Sequence, residues 1–479
     1  MMKAMFGSAV LALGLAWGGA AALAKPVPRY EATPCPMNLT GVSVKVDCGQ
    51  LVVPETRGLA NGRTVVVPVA IARSPNPAKN PVPVLYLHGG PGGSVLPRLG
   101  NILRNKDMGG AKLADRDWIF FDQRGSGLSV PLLECGDIDL TDSGLVSDQD
   151  VSRATACAQR LAAAGIDLSQ FDNAAIADDV ADLRTALGIE RWALYGVSYG
   201  ARVAAVILRD QPAGVTAAVL DSPYPTEAKG TERLPGLVSR DVRKVLAKCA
   251  ADRACARRVG DVLPAFEAFA RSILAQPITT DGTTFRAEDV ASYLLEALYS
   301  QSGTRRLPVT LWELTRGDFS RLKAHLSERS YYVEGQNLSH FCREELPFES
   351  ETAMRAAAEG DPIAEVVVTT AARYFEACKT WPVGTPDPIE AQPLRSAVPI
   401  LFVTAEIDAG CPTDYAREAL PTLSNAQVVE VPNATHGLFR VSRCARSFIT
   451  AFLANPGRPL DTSCLATEHA RLPFDLARR

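Results

Sequence analysis

A strand-like run, RWALYGV, passes directly into a helical one, YGARVAAVILRDQ, through the pentapeptide Gly196-Val197-Ser198-Tyr199-Gly200. A turn that sharp needs glycine on either side, and it lifts a serine hydroxyl clear of the sheet edge. The alternative, a plain glycine turn, accounts less well for strand, G-x-S-x-G and helix falling in register. Few folds accept such a junction, so it sets the terms for the rest of the chain.

The flanking sequence repeats the same arrangement. VPVLYLHGG and DWIFFDQRGSG are short apolar runs that end in glycine loops, and TAAVLDSP is a third. Such runs suit buried strands of a parallel sheet. Between them Ile176, Val180, Leu183 and Leu187 recur at helical spacing and Gly188 stops the helix. Asp178, Asp179 and Asp182 fall between those positions and read as a solvated face. From about Pro225 to Pro393 helical patterns dominate (LVSRDVRKVLAKCA, DVASYLLEALYS), and the strand–helix alternation returns with AVPILFVTAEID and AQVVEVPNATHG. The expected organisation is an α/β fold with a mostly parallel sheet. Its first core part is 25–224, a mainly helical lid covers 225–393, and a second core part spans 394–479.

Residues 1–24, MMKAMFGSAVLALGLAWGGAAALA, have a lysine, an apolar run and an A-L-A end, the pattern of a cleavable signal peptide. Export to the periplasm or beyond permits disulfides, and the eleven cysteines bear on that. Neighbours in sequence group as Cys35/Cys48, Cys135/Cys157, Cys249/Cys255, Cys342/Cys378 and Cys444/Cys464, leaving Cys411 over. No cysteine–histidine spacing suits zinc, so neither metal nor cofactor is expected. A formal charge of −3 with no basic stripe argues against nucleic acid. No stable membrane partner is expected once the signal is removed.

A serine nucleophile needs a base, and with this elbow the acid and then the histidine follow the serine in the chain. Of the histidines, His88 precedes Ser198. His325 and His340 lie in the helical insertion, and His469 lies in the polar tail. His436, in the loop NATHG after a strand, fits the order. The acid belongs after PILFVT, where Glu406 and Asp408 both stand; Asp408 lies deeper in the loop and is the choice. The tetrahedral intermediate needs backbone N–H donors. Tyr199 supplies one, and Gly89 or Gly90 of HGGPGGS the other. Asp122 and Arg124 of DQRGSG read as turn-stabilising.

Together, HGGPGG, DQRGSGLS, GVSYGA, TAEID and THG resemble the prolyl iminopeptidase and tripeptidyl-aminopeptidase branch of the α/β-hydrolases, from about Cys35 to Cys464. The resemblance implies an α/β-hydrolase fold with a lid, and Ser198, Asp408 and His436 as the triad. It also implies release of residues or short peptides from free N-termini. The closing GRPLDTSC implies a disulfide at Cys464. The chain departs from the family after Asp408, where AGCPTDYA replaces a Pro-Val-Thr-Pro-like sequence and sets Cys411, read as a packing residue, beside the acid. An exopeptidase must hold an ammonium group, and Glu344 or Glu345 of HFCREELPF is the expected partner. The rivals are an esterase or amidase with the same triad, acting on small esters or amides, and a hydrolase-fold protein that binds without catalysis.

Overall fold

The computed structural model describes residues 27–59, 62–78, 81–105, 115–136, 138–141, 144–326 and 332–477. The signal-peptide segment 1–24 lies outside the described residues. Nine strands form one sheet: β1 (Arg29–Ala32), β2 (Val46–Pro54), β3 (Thr64–Ala72), β4 (Val84–Leu87), β5 (Trp118–Phe121), β6 (Trp192–Val197), β7 (Val215–Asp221), β8 (Ile400–Ala405) and β9 (Ala426–Val431). Their order is β1-β2-β3-β5-β4-β6-β7-β8-β9. The six strands from β5 to β9 in that order pair in parallel, and β1 to β3 form an antiparallel flank. The central parallel strands are largely apolar because helices cover both faces: β5 and β8 are buried at every position.

The helices that matter for the site are α1 (Leu99–Arg104), α2 (Asn173–Ala186), α3 (Tyr199–Asp210), α4 (Gly230–Ala251), α5 (Ala287–Tyr299) and α6 (Pro362–Cys378). Among the described residues between β7 and β8, the regular structure is helical apart from one hairpin, Ile278–Thr280 with Thr283–Phe285. This insertion has its own apolar core, with Val238, Val242, Leu294, Leu298, Leu311 and Val366 at its centre. The same core takes in Ile407 and Ala409, the neighbours of Asp408. The acid loop is therefore gripped by the insertion as well as by the sheet. Disulfides join Cys35–Cys48, Cys135–Cys157, Cys249–Cys255, Cys342–Cys378 and Cys444–Cys464, and Cys411 is free and buried. No helix among the described residues is long and apolar enough to cross a membrane.

One sequence expectation fails. The aspartates of α2 do not form a solvated face. Asp179 is buried and receives a two-pronged pair from the equally buried Arg124, at 2.6 and 2.8 Å. Arg57 bridges Asp178, Asp179 and Asp182 from outside. Helical period assigned these positions to the water side, but an arginine 55 residues before Asp179 in the chain closes over that carboxylate. Asp122 accepts the N–H groups of Val95, Leu96 and Leu128, so the DQRGSG loop holds the start of α1 in place.

Candidate active site

Ser198 sits between β6 and α3 with φ 59° and ψ −127°, a strained conformation for a residue with a side chain. Close packing enforces it. A Cβ on Gly196 would lie 2.3 Å from Gly200 O, and one on Gly200 would lie 2.1 Å from Leu87 O. The two motif glycines are thus contact surfaces between strand, turn and helix. The Ser198 N–H is tied to Asp221 O at 2.9 Å.

His436 Nδ1 bonds Asp408 Oδ2 at 2.8 Å, and the other carboxylate oxygen accepts the N–H of Cys411 at 3.0 Å. Asp408 is buried, and its own N–H is held by Asp241 of α4 at 3.1 Å. The Tyr299 ring packs on the imidazole with centroids 4.6 Å apart. Glu406, the other acid considered, turns away: it pairs with Lys248 at 2.8 Å and accepts the N–H of Asn433 at 2.8 Å.

No sequence pattern marks Asp221, the last residue of β7, as part of the site. Its buried carboxylate accepts Leu438 N–H at 2.7 Å, Phe439 N–H at 2.9 Å and the Tyr195 hydroxyl at 2.5 Å. The adjacent Ser222 Oγ accepts Gly437 N–H at 2.9 Å. One strand end thus fixes both the serine turn and the histidine loop. Burial raises the Asp221 carboxyl, but three donors suit its ionised form. Burial would likewise lower the His436 imidazole, yet the charge and hydrogen bond of Asp408, with Asp221 behind, hold it above its ordinary value. A raised value keeps the imidazole protonated, and useless as a base, to higher pH. The acid limb of kcat/KM is therefore expected above about 6.5, the usual histidine value. Asp221→Asn should move that limb to lower pH and reduce kcat; a pH–rate profile with an unmoved limb would remove Asp221 from this role.

Ser198 Oγ contacts Cys411 Sγ at 3.9 Å, and among the described residues no hydrogen bond joins it to His436. Such bonds often close only with substrate in place. Burial, and then the charge of Asp408, push the Cys411 thiol well above its usual range, which disfavours its thiolate. Asp408, Cys411 and His436 offer ligand atoms within 4.8 Å of one another. Both carboxylate oxygens are already taken by protein donors, which suits a triad better than a metal.

Next to Ser198, the Tyr199 N–H opens α3 and has no acceptor within the helix. A Cβ on Gly89 would lie 2.9 Å from Ser198 Cβ, so only glycine allows this approach. Gly90, with φ 143°, follows it. Both glycines and Tyr199 border a cavity of about 600 Å³ that also takes in Ser198, Cys411 and His436.

The same cavity separates the two glutamates. The chain makes one wide turn at Phe341–Glu345, where Leu346 N–H reaches back five residues to Phe341 O. This turn is tied to α6 by Cys342–Cys378. Glu344 points away from the cavity, accepting Asn173 N–H at 2.6 Å and meeting His340 Nδ1 at 3.0 Å. Glu345 borders the cavity. Its Oε1 accepts from Thr231 N–H at 3.0 Å and Thr231 Oγ1 at 2.7 Å. Its Oε2 lies 3.5 Å from His340 Nε2, and neither atom has a hydrogen-bond partner. Burial would raise the Glu345 carboxyl, but His340 beside it and the charge of Arg202 hold it below its usual value. Burial would lower His340, whose flanking Glu344 and Glu345 hold it up. The site thus contains a buried carboxylate kept ionised.

Residues 82–256 match the model of the alpha/beta hydrolase fold, and residues 364–464 match that of TAP-like protein. No curated protein matches the chain. Among solved structures, the proline iminopeptidase of Mycobacterium smegmatis is 17% identical, with 85% of this chain and 97% of that one covered and a TM-score of 0.40. A proline iminopeptidase-related protein from Thermus thermophilus is 18% identical, covering 85% and 96% with a TM-score of 0.37. An esterase from Exiguobacterium antarcticum is 13% identical, covering 83% and 97% with a TM-score of 0.35.

Proposed function

Because the chain is an α/β-hydrolase with a TAP-like C-terminal segment, we propose that it is an exported serine aminopeptidase releasing N-terminal residues or short peptides. Ser198 Oγ attacks the scissile carbonyl carbon and His436 Nε2 takes its proton. Asp408 keeps Nδ1 protonated and steadies the imidazolium. The N–H groups of Tyr199 and of Gly89 or Gly90 receive the developing oxyanion. His436 then protonates the departing amine, and water hydrolyses the acyl-enzyme by the same steps in reverse roles. Export is supported by the leader-like residues 1–24 and by the five disulfides.

The observation that carries the peptidase reading is Glu345. Its Oε2 has no hydrogen-bond donor, and the His340 imidazole 3.5 Å away is the nearest cationic group, so this buried oxygen can still take a donor from a cation in the cavity. A substrate ammonium is the cation an aminopeptidase must hold. A simple ester has nothing to place there.

Glu345→Gln keeps an oxygen for Thr231 and removes the charge. A charge-assisted hydrogen bond is worth about 1.5–3 kcal/mol, so kcat/KM for aminoacyl nitroanilides should fall about 10- to 100-fold, mainly through KM. Short nitrophenyl esters should lose far less. An equal loss on both substrates would defeat the assignment. Equal cleavage by the native protein of peptides with free and acetylated N-termini would defeat the aminopeptidase reading itself and favour an esterase or amidase.

A further inference from the structure

We propose that the cavity takes short peptides with both termini free, the C-terminal carboxylate being held at its mouth by Arg440. The inference rests on the aminopeptidase reading and extends it from the substrate's amine to its other end.

Direction comes from the chemistry. Glu345 marks the side of Ser198 where the N-terminus lies. His436 must protonate the departing amine, so the residue that owns that amine lies on the His436 side. Arg440 stands on this side, in the short helix Leu438–Val441 that follows the histidine, and it borders the same cavity. Its backbone is firmly set. Asp221 holds Leu438 and Phe439, and Arg446 Nη1 donates to the carbonyls of Phe439 at 2.8 Å and Arg440 at 3.2 Å. The guanidinium itself is exposed and makes no ion pair among the described residues. Arg98, exposed just ahead of α1, borders the cavity too, as do the amides of Asn101 and Asn105. Among the described residues that border the cavity, Glu296 of α5 is the exposed carboxylate.

The cavity lining therefore offers a buried carboxylate, Glu345, and an exposed guanidinium, Arg440. A zwitterionic chain matches both. A guanidinium presents its N–H groups as a fork that fits a carboxylate. A volume of about 600 Å³ suits a ligand of drug size, which for a peptide means a few residues. On this geometry the first or second residue of the leaving group carries the carboxylate that Arg440 meets.

The test compares Ala-Ala and Ala-Ala-Ala as free acids with their C-terminal amides, alongside alanine nitroanilide, in native protein, Arg440→Gln and Arg440→Lys. Exposed ion pairs are weak, so the native acid-to-amide ratio of kcat/KM is expected at about three- to tenfold. The ratio should drop toward one in Arg440→Gln and take an intermediate value in Arg440→Lys. It should also shrink as salt rises to about 0.5 M. A native ratio near one, with alanine nitroanilide still cleaved, overturns the carboxylate subsite and leaves the aminopeptidase reading standing. A high ratio retained by Arg440→Gln overturns the role of Arg440. If neither the nitroanilide nor any free peptide is cleaved, both readings fall.

Discussion

Ser198→Ala is expected to abolish hydrolysis of every substrate the native protein turns over. Removing the nucleophile of a serine triad lowers kcat by about 10⁶-fold, and what remains comes from binding and the oxyanion donors. More than the G-x-S-x-G pattern supports this. A strained backbone at φ 59° is maintained here by contacts that leave no room for a Cβ at Gly196, Gly200 or Gly89. That strain costs about 1–3 kcal/mol, which a plain turn would not need. Cys411 makes the experiment sharper. Its sulfur lies 3.9 Å from the serine oxygen, so a rival account would give the thiol a share of the chemistry. Burial, with Asp408 nearby, disfavours the thiolate. The Ser198→Ala protein should therefore lack thiol-dependent activity as well, and a fluorophosphonate probe that labels native protein should not label the variant. Substantial activity left in Ser198→Ala would take the nucleophile's role away from Ser198, and native protein that turns over no substrate and refuses the probe would return the chain to the class of hydrolase-fold proteins that only bind.

The parts of this site that could be read in the sequence are those whose requirement is local. The glycines around Ser198 report a steric condition met within five residues, and the order of Ser198, Asp408 and His436 follows from which strand ends lie beside one another. Three features depend on distant partners and left no local trace. Asp179 has the spacing of a surface residue until Arg124 arrives from another loop. Asp221 looks like any strand-end aspartate, yet its carboxylate anchors residues more than two hundred positions later. Glu344 and Glu345 are adjacent in sequence and cannot be told apart there, because the wide turn at Phe341–Glu345 decides which one meets Asn173 and which one meets the cavity.

Asp408→Asn should lower kcat by about 10⁴-fold, the loss expected when the imidazole is no longer held in the tautomer that accepts the serine proton. The amide oxygen introduced there could still accept Cys411 N–H, and the gripping residues Ile407 and Ala409 would stay in the insertion's core. The fold should therefore survive, and thermal unfolding is the control. The pH profile carries a second readout. Asp408 is the largest influence raising His436 against burial, so its loss should move the acid limb of the residual activity to lower pH. Glu406→Gln gives the contrast. Glu406 is occupied with Lys248 and Asn433 at the back of the loop, and its loss should appear mainly as reduced stability with kcat nearly kept. If Glu406→Gln proved as damaging to kcat as Asp408→Asn, or if Asp408→Asn left the acid limb in place, the imidazole's partner would have been assigned to the wrong carboxylate. The 2.8 Å bond from His436 Nδ1 to Asp408 Oδ2 would then be only a structural contact.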